Sequence, residues 1–292
     1  MRVAVLGSTG MLGSMVTRIL REAGMDVRAI TRQECPADTI DTWALRKLLH
    51  GCEWCINCIG LTKPHVHDDN AAEVYQAIQV NGTFPFRLAD AAKHANDEYQ
   101  RHLDNFVGAQ QCRVIQIATD CVYSGRDGEY TESSPKDGTD AYGMTKALGE
   151  APGIIHLRCS IIGPEPEGRG KFLVEWLRQQ PIGATVNGYT DHLWNGITTK
   201  AFANLCLGIM QTPIDGLTVQ HVIPSNDVTK YDLLGMIRQC YNRSDITIVP
   251  TISGKPCNRT LRTDNEEVNK QLWVNAGYKR IPTVQELVEV ML

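Results

Sequence analysis

Apolar positions along the first half of this chain follow two rhythms in turn. Val3, Ala4, Val5 and Leu6 form a short unbroken apolar run that stops at Gly7. Such a run predicts a strand buried on both faces. Met11, Leu12, Met15, Val16, Ile19 and Leu20 then recur at helical spacing up to Gly24, the pattern of an amphipathic helix. Asp26–Ile30 predicts a second strand. The alternation goes on with a helix from an N-cap near Asp41 through Leu49, then a strand over Trp54–Ile59. Next come one long or two abutting helices over 71–80 and 83–94, with Asn81 and Gly82 as the weak point. Arg113–Ala118 and Ile154–Leu157 predict further strands. Strands and helices in strict alternation predict an α/β fold, a Rossmann-like doubly wound parallel sheet.

After Arg158 the pattern shortens. Helices are expected over 172–179, 198–210, 230–241 and 284–291, and strands over 217–223 and 246–250, with a polar, aromatic stretch at 184–194. The expected division is a first domain over 1–158, with 193–225 returning to it. A smaller C-terminal α/β domain takes 159–192 and 226–292. Residues 96–108, 124–140 and 164–171 are rich in polar, Gly or Pro residues and read as loops.

Composition narrows the possible partners. A net charge of −4 over 292 residues implies no general attraction to nucleic acid or to an anionic membrane surface. No apolar run approaches the roughly 18 residues of a membrane span. The first residues lack a basic segment and read as a strand rather than a signal peptide. Among ten cysteines, Cys52, Cys55 and Cys58 are spaced like metal ligands. Residues three apart on a strand point to opposite faces, so those thiols do not converge. The scattered cysteines suit a reducing cytoplasm. His65 and His67 find no third ligand nearby, and no metal site is expected.

Three features carry candidate chemistry. Gly7, Gly10 and Gly13 lie between the first strand and first helix. There they would allow a tight turn, close approach of backbone to a pyrophosphate, and close packing of helix on strand. The second strand ends at Thr31 and Arg32, with no acid until Glu34. A hydroxyl and a guanidinium suit a 2′-phosphate, so NADP(H) is favoured over NAD(H). Small residues at Cys58, Ile59 and Gly60, and the hydroxyl of Thr119, close two strands at the edge where doubly wound sheets bind ligands.

Tyr142 and Lys146 are the third feature. Residues four apart on a helix share a face, with Cβ atoms about 5–6 Å apart. At an effective dielectric of about 20, a cation ~5.5 Å away favours a phenolate by about 3 kcal/mol. That is about two pKa units, so the pair is expected to bring the phenol toward neutrality.

Taken in order, the glycine loop, the segment from Asn57 to Gly60, Thr119, and Tyr142 with Lys146 resemble the extended short-chain dehydrogenase/reductase superfamily across nearly the full chain. Residues 117–125, Tyr142 to Lys146 with Gly149 and Glu150, Leu157 to Ser160, and Trp194 to Thr199 resemble its dTDP-4-dehydrorhamnose reductase group. Cys121, the form of the Asn57–Gly60 segment and the loop from Lys63 to Asn70 depart from that group's pattern and leave the sugar open.

The resemblance implies NADPH-dependent reduction of a keto group on a nucleotide-linked deoxysugar, in sugar-nucleotide biosynthesis. Tyr142 would give the proton, Thr119 would hydrogen-bond the same oxygen, and Lys146 would lower the Tyr142 pKa and hold the nicotinamide ribose. The implied cofactor set is Gly7, Ser8, Thr9, Gly10, Met11, Leu12, Gly13, Thr31, Arg32, Asp38, Thr39, Cys58, Ile59, Gly60 and Asn81, with Tyr142 and Lys146. The smaller domain would bind substrate. Asp120 and Val122 would flank it, Arg169, Lys171 and Arg262 would hold its diphosphate, and Trp194 would stack on it. Two other readings stand beside this one: an NAD(P)-dependent epimerase or dehydratase, and a non-catalytic NADP-binding regulatory subunit. Helices near 71–94 and 142–150 could form a homodimer face, as in relatives.

Overall fold

A computed structural model of the protein describes residues 1–96, 111–166, 170 and 172–292. The chain forms two compact units, one of residues 1–122, 138–157 and 215–219, the other of 123–137, 158–214 and 220–292.

The first unit is built on β1 (Arg2–Leu6), β2 (Asp26–Ile30), β3 (Trp54–Asn57), β4 (Arg113–Ala118) and β5 (Ile154–Arg158). With the strand Val219–His221 they make a six-stranded sheet in the order Val219–His221, β5, β4, β3, β1, β2. Pairing is parallel from β2 through β1 and β3 to β4, with Val5 opposite Ile56 and Ile56 opposite Ile115. Parallel strands covered on both faces are apolar along most of their length. Accordingly, Val3 to Leu6 and all of β3 and β5 are buried, whereas β2, at the edge, is exposed at alternate positions.

Helix α1 (Met11–Glu22) follows the glycine turn, and α2 (Thr42–Leu49) starts at Asp41, whose carboxylate accepts from Ala44 N at 2.8 Å. On one side of the sheet, Leu45 and Leu49 of α2 join Phe84, Leu88 and Ala91 in a core with Leu6, Ile30 and Cys55. The two abutting helices are α3 (Ala71–Ala77) and α4 (Phe84–His94), joined by a π-helical turn over Ile78–Thr83. The weak point expected at Asn81 and Gly82 is this wider turn, so the backbone continues without a break.

Two boundaries differ from expectation. The strand from Trp54 stops at Asn57, because Asn57 Oδ1 accepts from Ile59 N at 3.1 Å and turns the chain. Residues 193–214, expected to return to the first unit, group with the second, and only 215–219 return. The cause is the helix Thr199–Gln211, which packs on the helix Glu266–Asn275. Their approach is close: a Cβ on Gly208 would come within 2.6 Å of the Asn275 carbonyl. Glu266–Asn275 itself escapes a reading by periodicity, since only Asn269, Leu272 and Trp273 are buried along it.

In the second unit, Val174, Leu177, Trp194, Leu233, Ile237, Val284 and Val288 share one core. A buried polar network ties residues 123–137 into it. The Arg158 guanidinium, 2% exposed, donates to Tyr123 Oη at 2.7 Å and to His221 Nε2 at 3.2 Å. His221 Nδ1 donates to Arg262 O at 2.7 Å, and Glu132 accepts from the His221 backbone N at 2.6 Å. Tyr123 also stacks on Tyr130, with ring centroids 4.4 Å apart. No helix among the described residues is long and apolar enough to cross a membrane.

Candidate active site

The glycine loop is shaped by contacts that side chains would spoil. Gly7 has φ +73, a left-handed conformation that L side chains rarely adopt. A Cβ on Gly13 would sit 2.1 Å from Gly7 O, whereas one on Gly10 would meet only Gly7 O, at 3.4 Å. Gly10 therefore has more room than Gly13, which is closed off by the turn. The first turn of α1 carries no side-chain cap. By contrast α2 and the helix Ala141–Leu148 are both capped by aspartates. Uncapped first-turn amides at the positive end of a helix fit a pyrophosphate. Ser8 is buried and Thr9 exposed, with Met11 and Leu12 opening the helix.

At the end of β2, Glu34 accepts from both the backbone N and Oγ1 of Thr31, each at 2.9 Å. These bonds hold the Glu34 carboxyl below its ordinary range. Thr31 is thus engaged by Glu34, and Arg32 beside it is exposed. Asp38 and Thr39 lie in the turn leading to Asp41 and α2.

The helix Ala141–Leu148 brings Tyr142 and Lys146 to the same sheet edge. Lys146 Nζ donates to Ile117 O at 3.2 Å, and it lies 3.7 Å from where a Cβ on Gly60 would be. Asn81 sits beside the same turn: its Oδ1 accepts from Leu61 N at 2.9 Å and its Nδ2 donates to Leu61 O at 3.0 Å. Asn81 fastens the segment after Cys58, Ile59 and Gly60 to the π turn. Two glycines make room for this. A Cβ on Gly149 would strike Asn81 O at 1.8 Å, and one on Gly82 would touch Leu148 at 3.0 Å.

The charge state of Tyr142 corrects the sequence expectation. Lys146 was expected to lower its pKa, but the phenol is pushed well above its ordinary value of 10.0. Burial is the largest cause, the Cys121 thiol adds to it, hydrogen bonding with Thr119 works against it, and Asp120 and Asp140 raise it further. The ring packs with Val66, Ala77 and Ala141. Desolvation opposes the charged form, and it is the largest influence on this phenol. Thr119 Oγ1 also lies 3.2 Å from Asp120 Oδ1 and accepts from Cys121 N at 3.1 Å. Asp120 and Val122 are both buried beside it.

Residues that the sequence left in an open loop form one wall of this site. Lys63 Nζ donates to Asp140 Oδ2 at 2.6 Å, while Asp140 Oδ1 caps the Tyr142 helix by accepting from Gly143 N at 2.7 Å. Asp68 Oδ1 accepts from Ala141 N at 2.8 Å, and Val66 packs with the Tyr142 ring. No local signal announces these contacts, which join residues more than 70 positions apart.

The expected substrate residues fare differently. Arg169 and Lys171 lie outside the described residues. Trp194 is a core residue of the second unit, 4% exposed, whose indole N–H donates to Ser160 Oγ at 2.8 Å. Its ring is therefore turned inward rather than offered for stacking. Arg262 is held by Asp227 at 2.7 Å and Glu129 at 2.9 Å, so its charge is already matched by two carboxylates. It lines a cavity of about 450 Å³ with Asp227, Glu266 and Asn269. No cluster of three metal-ligand side chains occurs among the described residues.

A parallel sheet with an uncapped glycine turn, and a Tyr–Lys pair on the helix beside it, define a Rossmann-like protein of the extended short-chain dehydrogenase/reductase class. Within that class the chain belongs to the RmlD substrate binding domain family, which matches residues 1–292. It is 32% identical over 152 residues to a dTDP-4-dehydrorhamnose reductase of Streptomyces griseus, a stretch covering 51% of this chain and 43% of that protein. The chain thus aligns with less than half the length of that relative. It is 23% identical over 285 residues to methionine adenosyltransferase 2 subunit beta of Xenopus laevis, covering 92% of this chain and 80% of that one. The fold matches a dTDP-4-dehydrorhamnose reductase from Bacillus anthracis str. Ames, solved in complex with NADP. The TM-score is 0.77 at 16% identity, over 99% of this chain and 98% of the other.

Proposed function

We propose that the protein reduces a keto group on a nucleotide-linked deoxysugar with NADPH, as a dTDP-4-dehydrorhamnose reductase-like enzyme of sugar-nucleotide biosynthesis. The observation that carries this reading is the half-buried phenol of Tyr142, held protonated beside Thr119, with Lys146 facing Gly60 one helical turn on. A bound nicotinamide supplies the hydride. As negative charge grows on the substrate oxygen, Tyr142 Oη releases its proton to it and Thr119 Oγ1 hydrogen-bonds it. Lys146 holds the ribose, and its charge stabilises the phenolate left behind.

Gly7 to Gly13 cradle the pyrophosphate, with Ser8, Thr9, Met11 and Leu12. Arg32 faces the 2′-phosphate, and Asp38 and Thr39 flank the adenosine. Cys58, Ile59 and Gly60 lie against the nicotinamide side, with Asn81 as their anchor. The first unit is assigned to the cofactor and the second to substrate choice, with Asp120 and Val122 flanking the reacting sugar and Arg169 and Lys171 for its diphosphate. Cys35, Cys52, Cys55 and Cys112 are buried thiols, which suits a cytoplasmic enzyme. Tyr75, Ile78, Met144 and Leu148 are exposed on helical segments of the first unit and are assigned to a homodimer contact, which light scattering checks.

The test is incubation with NADPH and a panel of 4-keto-6-deoxy sugar nucleotides. Stoichiometric loss of nicotinamide absorbance with one of them is expected. Product formed without net cofactor consumption would redirect the reading to an epimerase or dehydratase. Likeness to the methionine adenosyltransferase subunit over 92% of this chain favours one second reading, a cofactor-binding regulatory subunit. Tight NADPH binding with no turnover of any sugar nucleotide is its signature.

A further inference from the structure

Three buried polar side chains cross the middle of the sheet at one level. Asn57 on β3, Gln116 on β4 and His156 on β5 are 1%, 3% and 1% exposed. Asn57 and Gln116 are register partners on adjacent parallel strands. Amides in an apolar sheet interior are costly unless every polar atom finds a partner. Here they do, and in only one arrangement.

Asn57 Oδ1 accepts from Ile59 N at 3.1 Å, so its Nδ2 must face Gln116, to whose Oε1 it donates at 2.7 Å. Gln116 Nε2 is then left to donate to Gly149 O at 3.1 Å and toward His156 Nδ1 at 3.5 Å. His156 Nε2 in turn donates to Ala151 O at 2.8 Å. Each bond fixes the orientation of the next group.

The two ends of this chain are the two halves of the candidate site. One end holds the turn of Cys58, Ile59 and Gly60. The other holds Gly149 and Ala151, just past the helix that bears Tyr142 and Lys146. Lys146 reaches back to Ile117 O, the residue after Gln116, and lies against Gly60.

We propose that Gln116 is a positioning residue, which through Asn57 and Gly149 O sets the spacing between the Cys58–Gly60 turn and the Tyr142–Lys146 helix where the nicotinamide ribose is held. The proposal rests on the cofactor site described above. It assigns Gln116 no contact with substrate or cofactor.

Two variants test it. Gln116→Met keeps the length of the side chain and removes all its hydrogen bonds. Asn57→Asp keeps the acceptor for Ile59 N but turns a donor into an acceptor, so Gln116 must rotate its amide and present oxygen to Gly149 O. The control is Val114→Ala on the same strand, a buried packing loss with no polar partner. The NADPH dissociation constant is measured by titration well below each variant's unfolding midpoint, with amide exchange at Ile59 followed in parallel. Both variants are expected to weaken NADPH about tenfold, which is about 1.4 kcal/mol, and Gln116→Met to speed exchange at Ile59. Val114→Ala is expected to lower the midpoint while leaving the constant within about twofold. A constant within twofold of wild type in either folded variant overturns the proposal. So does an equal loss of affinity in Val114→Ala. Failure of the wild type to turn over any keto sugar nucleotide would overturn the enzymatic reading alone, since this comparison needs no turnover.

Discussion

In the proposed reduction Tyr142 gives the proton, and its surroundings keep the phenol in the form that can give it. Its phenol is pushed above 10.0 by burial first, then by Cys121, Asp120 and Asp140 against the pull of Thr119. Reduction needs the protonated form, and a raised pKa keeps that form full across neutral pH. The rate of keto reduction should therefore show no alkaline fall due to Tyr142 below about pH 10. A pH profile falling with an apparent pKa of about 7 to 8 would contradict this. Tyr142→Phe should cut turnover by about 10²- to 10⁴-fold while leaving the NADPH dissociation constant nearly unchanged, as kinetics and a binding titration on the same preparation would show. The Tyr–Lys spacing was legible in the sequence. The direction of the pKa was not, because it depends on Val66 and Ala77 packing on the ring, and neither adjoins it in the chain.

At the scale of elements, the glycine turn and the Tyr142 helix were legible to different depths. Strand, Gly7, Gly10, Gly13 and helix follow one another within a few residues, so local pattern sufficed. The structure adds which glycine is sterically closed. Gly13→Ala places a methyl 2.1 Å from Gly7 O, so the turn must move. It should lose about 1–3 kcal/mol of stability in denaturant titration, with weaker NADPH binding. Gly235, inside the helix Lys230–Cys240, has nothing within 4 Å of its added Cβ. Gly235→Ala should instead stabilise by about 0.5–1 kcal/mol. The Tyr142 helix owes its N-terminal anchorage to Lys63 and Asp68, which sit in a polar segment with no periodicity to read. Its far end is met by Gln116 and His156, whose polarity is hidden in runs that read simply as strands.

Across the whole molecule, the second unit carries a buried His221 whose pKa is lowered from 6.5, mainly by burial and also by Arg158, while Glu132 and the Arg262 carbonyl pull it up. Below about pH 6.5 the unfolded chain binds a proton that folded His221 resists, so stability falls as pH drops. The unfolding midpoint should decline as the pH falls below about 6.5, and His221→Gln should flatten that decline in thermal scans. By itself, the sequence determined the alternation of strands and helices, the glycine turn, and the four-residue spacing of Tyr142 and Lys146 on one helix. These are signals carried by neighbours in the chain, through hydrophobic period and turn chemistry. Only the tertiary structure decided that Trp194 faces inward, that Arg262 is matched by Asp227 and Glu129, that residues 193–214 join the second unit, and that Tyr142 stays protonated. Each of those depends on burial and on partners distant in sequence, and desolvation is a property of the packed whole rather than of any stretch of it.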